Sequence, residues 1–150
     1  MTRMGDTDAE ILGSSACWEL LRTVDVGRLA VLVEGAPDIF PVNFVVDHGS
    51  VVFRTAPGTK LDAALQDAPV AFEVDGIDAD ERAWSVVLRG VAAERRGLDE
   101  ALETGSLPLF PWHGDAKPRF LRITPATLSG RRFPIADRSR WITALTQRHD

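Results

Sequence analysis

The sequence has little of what most catalytic or cross-linked scaffolds depend on. It holds one cysteine, Cys17, in 150 residues. A lone cysteine excludes an internal disulfide framework and fits a reducing compartment. With no basic neighbour to favour its thiolate, Cys17 reads as packing, as does the adjacent Trp18. Only three histidines occur, His48, His113 and His149. None has a second ligand at helical or strand spacing, so no metal site is expected. No Ser–His–acid set follows from spacing, and neither the phosphate-loop nor the dinucleotide glycine fingerprint is present. No apolar run approaches the roughly 18–20 residues of a membrane span. The opening MTRMGDTDAEILG lacks the apolar core of a signal peptide. A net charge of −5 argues against general nucleic-acid or anionic-membrane binding, but leaves room for a small anion held by a local cluster. The expectation is a cytoplasmic protein with neither a nucleic-acid nor a membrane partner.

What is present is organised around residues 26–65. Three runs rich in Val, Leu, Ile and Phe have the composition of strands. Glu34-Gly35-Ala36-Pro37-Asp38 separates the first two, and Asp47-His48-Gly49-Ser50 the next two. His48 is read as a residue of that hairpin turn. The third run ends at Phe53-Arg54-Thr55. The loop Ala56-Pro57-Gly58-Thr59 leads to a helix start at Lys60, which is expected to run to about Asp67.

Upstream, residues 1–10 are polar and expected to be loose. Ser14 or Ser15 is positioned to cap a helix that presents Cys17, Leu20 and Leu21 on one face and stops near Thr23. Downstream, residues 70–75 alternate as a strand, residues 77–83 form an acidic connection, and residues 84–95 make the longest strand candidate. Gly90 inside it signals a bulge or a close backbone approach. A short helix over 98–103 and an aromatic, proline-rich loop over 107–115 follow. Strand character returns at 119–124, is interrupted by Pro125 and resumes at 128–133. A tail helix over 139–149 would turn Trp141, Ile142 and Leu145 inward. One domain, residues 1–150, is expected, with a core over about 14–133 and a tail over 134–150. About six strands on short connections, with few helices, favour a mainly β, antiparallel barrel or sandwich.

The chemistry concentrates at Arg54-Thr55 and Thr59-Lys60. Generic statistics read Arg54 and Lys60 as solvated loop charges. Against that, two cations, two hydroxyls and a helix start fall within seven residues. A cation at a helix N-terminus opposes the helix dipole, and an anionic ligand would offset the cost.

These blocks, GRLAVLVEGAPDIFPVNFVVDHGSVVFRTAPGTKLDAAL, then VAFEVDGID, then WSVVLRGVAAE, resemble the pyridoxamine 5′-phosphate oxidase-like flavoproteins, in particular the bacterial branch that includes the nitroimidazole-resistance proteins. The resemblance spans roughly residues 14–133. It implies a six-stranded antiparallel split β-barrel with a few short peripheral helices. It also implies a homodimer that holds two FMN molecules in clefts at its interface, and redox chemistry on a small molecule. By the same resemblance, Arg54, Thr55 and Lys60 hold the flavin phosphate with Thr59 beside them. Pro41, Val42 and Asn43 run along the isoalloxazine. Trp84 and Ser85 border the site, and Trp112 reaches the partner's cofactor. The same barrel also serves deazaflavin-dependent reductases, haem binders and non-enzymatic flavin carriers or sensors. The C-terminal segment around Gly130-Arg131-Arg132 departs from the vitamin B6-forming oxidases, so their activity is not implied. No catalytic residue stands out, as expected where the cofactor carries the redox step.

Overall fold

The computed structural model describes residues 9–66, 68–94 and 119–147. The expected helix over 98–103 and the aromatic loop over 107–115, with Trp112, lie outside the described residues. In chain order the elements are β1 (Glu10–Leu12), α1 (Ser14–Leu21), β2 (Val26–Val33), β3 (Ala36–Val46), β4 (Val51–Thr55), α2 (Lys60–Ala64), β5 (Pro69–Ile77), β6 (Arg82–Glu94), β7 (Arg119–Pro134) and α3 (Arg138–Gln147). All strand pairs are antiparallel. The sheet order is β1-β7-β4-β3-β2-β5-β6, and β6 pairs back onto β7. Six strands therefore close a ring, the expected barrel, with β1 appended at the edge of β7.

Alternation builds the core. In β2 the buried residues are Gly27, Leu29 and Val31, and in β6 they are Trp84, Val86, Leu88 and Ala92. Phe53, Phe72, Val74 and Ile123 complete the interior, and Phe44 meets Phe72 edge-on at 4.9 Å between ring centroids. Cys17 is buried, its thiol pushed above the ordinary value by desolvation, and a Cβ on Gly130 would lie 2.5 Å from its Sγ. It is a packing residue, as its sequence context indicates.

The two hairpin turns follow from local chemistry. Glu34 and Gly35 both have positive φ, as do His48 and Gly49. Two such residues in series make the two-residue turn whose twist matches a hairpin. The first turn is thus tighter than the sequence indicates: Ala36, Pro37 and Asp38 already pair with Val33, Leu32 and Val31.

Four further expectations change. Glu10, the last residue of the segment expected to be loose, opens β1, which lies opposite Gly130–Arg132. The N-cap of α1 is Gly13, with no side-chain cap, because Ser14 is already helical. Ile142 and Leu145 of α3 are 63% and 57% exposed rather than inward, because no described element packs broadly against that helix. The Trp141 side chain is not among those described. Pro125 does not end a strand either. The β6–β7 register passes from Arg89↔Thr127 to Gly90↔Pro125, so Ala126 is an extra residue at a β-bulge. There the missing N–H of Pro125 is tolerated. Gly90 sits opposite, where a Cβ would lie 2.6 Å from the Thr124 carbonyl oxygen, so the backbones approach closely.

Candidate functional site

Among the described residues the ladders of the ring narrow to three residue pairs at two places, β2–β5 and β3–β4, and the second borders the site. β4 has five residues and pairs with β3 only over Phe44–Val46. Among the described residues, the rest of β3, from Ala36 to Asn43, has a ladder partner only in β2. A strand left open on one side presents backbone N–H and C=O groups. Beside that open edge the chain leaves β4 at Thr55 and turns through Ala56–Thr59 into α2. Between the edge and the turn lies a cleft of ≈ 360 Å³, lined by Phe40, Pro41, Val42, Asn43, Arg54, Thr55, Ala56, Thr59, Lys60 and Leu61. That size is within the usual range for small-molecule sites.

The cleft gathers Pro41, Val42, Asn43, Arg54, Thr55, Thr59 and Lys60 from two stretches of sequence. Alternation along β3 sends Pro41 and Asn43 outward and buries Val42. Arg54 is half-buried at the end of β4, and Lys60 is exposed at the start of α2. Trp84 and Ser85 do not line the cleft. Trp84 is an interior residue lying against Gly76, where a Cβ would come within 2.8 Å of its Cζ2. Ser85 lies on the opposite face of β6, across from Asp75 and Arg131.

The turn differs from an open helix end. α2 is only five residues long, and two nearby backbone donors, the Gly58 and Asp62 N–H groups, are engaged within the turn. Thr59 is its N-cap: the hydroxyl accepts from the Asp62 N–H at 3.1 Å and donates to the Ala56 carbonyl at 2.8 Å. The Asp62 carboxylate accepts the Gly58 N–H at 3.2 Å. The Thr55 hydroxyl, buried, lies 3.5 Å from Asp62 Oδ1. Both threonine hydroxyls thus face protein partners, and the positive charge of the cleft rests on Arg54 and Lys60.

Asp62 was not singled out by the sequence. The signal was present, since Thr59 and Asp62 have the spacing of a capping pair. Its main partner is distant in sequence: Arg119 Nη1 donates to both Asp62 oxygens, at 2.9 and 3.1 Å. The other end of the same guanidinium pairs with Glu94 at 2.5 Å. The hydrogen bond to Glu94 first, then the Asp62 charge, holds Arg119 above its ordinary value. A polar hollow of ≈ 230 Å³ lies on that side, lined in part by Asp62, Gln66, Glu94 and Arg119. Among the described residues no group of three or more His, Cys, Asp or Glu is placed to hold a metal. No helix among them is long and apolar enough to cross a membrane.

Comparison with known proteins adds to this geometry. An FAD binding protein from Mycobacterium smegmatis is 42% identical with a TM-score of 0.76, over 85% of this chain and 100% of that chain. An uncharacterized protein of Mycobacterium tuberculosis is 34% identical over 124 residues, 79% of this chain and 80% of that protein. A candidate 5-nitroimidazole antibiotic resistance protein from Bacteroides thetaiotaomicron shares the fold at 14% identity and a TM-score of 0.67, over 83% of this chain and 89% of that one. The profile of the pyridoxamine 5′-phosphate oxidase family matches residues 13–132, and with most of its length so matched the chain belongs to that family.

Proposed function

We propose that the protein binds a flavin in the cleft at the split of the barrel and uses it as a cytoplasmic oxidoreductase of a small molecule, working as a homodimer. The observation that carries this reading is the placement of Arg54 and Lys60 at one end of a cleft whose other side is the open backbone edge of β3. A flavin mononucleotide has matching parts: a dianionic phosphate, and a flat ring whose edge offers hydrogen-bonding groups to a strand. Arg54 supplies a planar fork for phosphate oxygens and Lys60 a point charge. Pro41 and Asn43 flank the ring and Val42 backs it. The bound flavin would supply the redox step. The chain's own residues bind it, orient it and exclude water.

Leu32 and Ile39 are exposed on the outward face of the β2–β3 ladder, which a second copy would meet. Pro41 and Asn43 lie on the same outward side of β3, so the cleft opens onto that face. In a homodimer the partner would form the cleft's outer wall.

FAD is the second reading, favoured by the FAD binding relative from Mycobacterium smegmatis that is 42% identical over its whole length. FAD would place a pyrophosphate where FMN places a terminal phosphate. Mass spectrometry of the small molecule that co-purifies separates FMN, FAD and a deazaflavin.

The test of the site is a titration of wild type, Arg54→Ala and Lys60→Ala with FMN and riboflavin in parallel. Each charged hydrogen bond is worth roughly 1.5–3 kcal/mol, so each variant should weaken FMN by about one to two decades. Riboflavin, which lacks the phosphate, should bind wild type weakly and respond little to either change. Equal affinity of wild type for the two flavins would overturn the phosphate assignment. Oxidation of NADH or NADPH with bleaching of the bound flavin would distinguish an enzyme from a carrier or sensor.

A further inference from the structure

We infer that Asp62 and Arg119 form a clamp that positions Arg54 and Lys60 for a phosphate, and that Arg119 also masks the Asp62 charge from that phosphate. The inference rests on the flavin reading above. It concerns how the cleft discriminates a phosphorylated from an unphosphorylated ligand.

The two cleft cations flank the turn, Arg54 before it and Lys60 after it. Four residues between them are tied to Asp62. Its carboxylate accepts the Gly58 N–H and faces the Thr55 hydroxyl. Its N–H is held by the Thr59 hydroxyl, which in turn holds the Ala56 carbonyl. Gly58 has φ +77, a conformation that other residues seldom adopt, so glycine permits the turn and the hydrogen bonds to Asp62 and Thr59 hold its shape. Asp62 therefore sets the separation of the two cations without lining the cleft itself. A fixed separation matters because a fork and a point charge reach one phosphate only at the right spacing.

An acid beside an anion site is unfavourable unless neutralised. Arg119 does this, with both Asp62 oxygens on one of its nitrogens. The side chains of the pair are only 32% and 11% exposed, so their charges are poorly screened by solvent. The fold explains how Arg119 reaches this place. Arg119 opens β7 opposite Thr55, the last residue of β4, and Glu94 ends β6 opposite Leu121. The clamp thus joins α2 to the ends of three strands at the closure of the ring. A basic residue at the start of β7 is the only described cation that touches Asp62.

Two roles for one pair give an asymmetric expectation. Arg119→Met loosens the turn and leaves the Asp62 charge facing the phosphate. Asp62→Asn loosens the turn but removes that charge. Titration of wild type and variants with FMN and riboflavin is the experiment, with near-UV circular dichroism to verify the fold of each. Arg119→Met should weaken FMN about tenfold or more, the loss of one charge-assisted contact or of its equivalent in repulsion. Riboflavin affinity should be nearly unchanged. The double variant Asp62→Asn/Arg119→Met should recover part of the FMN loss with riboflavin affinity nearly unchanged throughout, whereas a simple structural role would couple the two substitutions alike for both flavins. If Arg119→Met does not fold, Arg119→Lys carries the test: it keeps the charge but loses the fork, so FMN affinity should fall by less than about tenfold while riboflavin affinity stays nearly unchanged. An FMN to riboflavin affinity ratio in Arg119→Met equal to a high ratio in wild type would overturn the clamp alone. A ratio near one in wild type would overturn the flavin-phosphate reading, and the clamp with it.

Discussion

Glu73 carries the clearest titration signature of any single residue in the described chain. It points outward from β5, and its carboxyl is pushed up to about 7. Burial is the main cause, the hydrogen bond and charge of Asp75 add to it, and Arg28 opposes it. Arg28 approaches from β2, with Nη1 3.9 Å from Glu73 and 3.6 Å from Asp75. The residue directly opposite on β6 is Val87, which offers no compensating charge. A carboxyl whose folded value exceeds its unfolded value binds protons more tightly when folded. Its contribution to stability is complete below the unfolded value, near 4.5, and is lost as pH rises through about 7. Melting temperature should therefore decline between about pH 5 and 8, and Glu73→Gln should flatten that slope. The side chain is 37% exposed, so solvent screening limits the size of the effect. An unchanged slope in Glu73→Gln would assign the titration to another group.

At the scale of elements, the β3–β4 hairpin that ends beside the cleft is fastened from outside by β7. Arg122 donates to the Asp47 carbonyl at 3.0 Å, to Asp47 Oδ2 at 2.7 Å and to the Ser50 hydroxyl. The Arg122 hydrogen bond is the main reason that the Asp47 carboxyl is held below its ordinary value, and His48 assists. The sign is opposite to that of Glu73. A depressed carboxyl stabilises the fold above its unfolded value, and that stabilisation is lost as pH falls through the folded one. The acid limb of wild type, below about pH 4, should thus be steeper than that of Arg122→Met. At neutral pH that variant should lose about 1.5–3 kcal/mol, as for a hydrogen bond to a charged group. Equal acid limbs in a pH series of thermal melts would contradict this. The hairpin was legible in the sequence, because Asp47-His48-Gly49-Ser50 carries its turn chemistry locally. Its Arg122 fastening was not, since the pair is separated by 75 positions. The same holds for the cleft. Of its lining, Arg54, Thr55, Thr59 and Lys60 could be read from their clustering and Pro41, Val42 and Asn43 from resemblance, whereas Phe40, Ala56 and Leu61 emerge only from the fold. The Asp62–Arg119 clamp depends on β7 folding back beside β4, which no local pattern encodes. Pro125 misled for the converse reason: it obeys its local rule, but a bulge across from Gly90 absorbs it within a continuous strand.

At the scale of the whole molecule, the proposed homodimer has a specific face. Val26, Leu32, Ile39, Ile77 and Val91 are 46%, 54%, 64%, 67% and 47% exposed. Ile39 and Leu32 belong to the same outward side of the β2–β3 ladder as Pro41 and Asn43 of the cleft. Isolated apolar residues on a surface are ordinary, but several on one sheet face next to a site need covering. A stable pair requires roughly 1,200–2,000 Å² of total buried surface, an area one sheet face and its rim can supply. A symmetric dimer uses the same patch on both copies, so one substitution enters the interface twice. Ile39→Arg places a charge there in duplicate without touching the barrel interior, since Ile39 points away from it. Light scattering at micromolar concentration should report about twice the 16.4 kDa chain mass for wild type and the chain mass for Ile39→Arg. The monomer should keep its β-sheet circular dichroism but bind FMN more weakly, because the outer wall of the cleft is gone. A wild type that remains monomeric would remove the shared wall from the proposal. A monomeric Ile39→Arg with full flavin affinity would mean that one chain completes the site by itself.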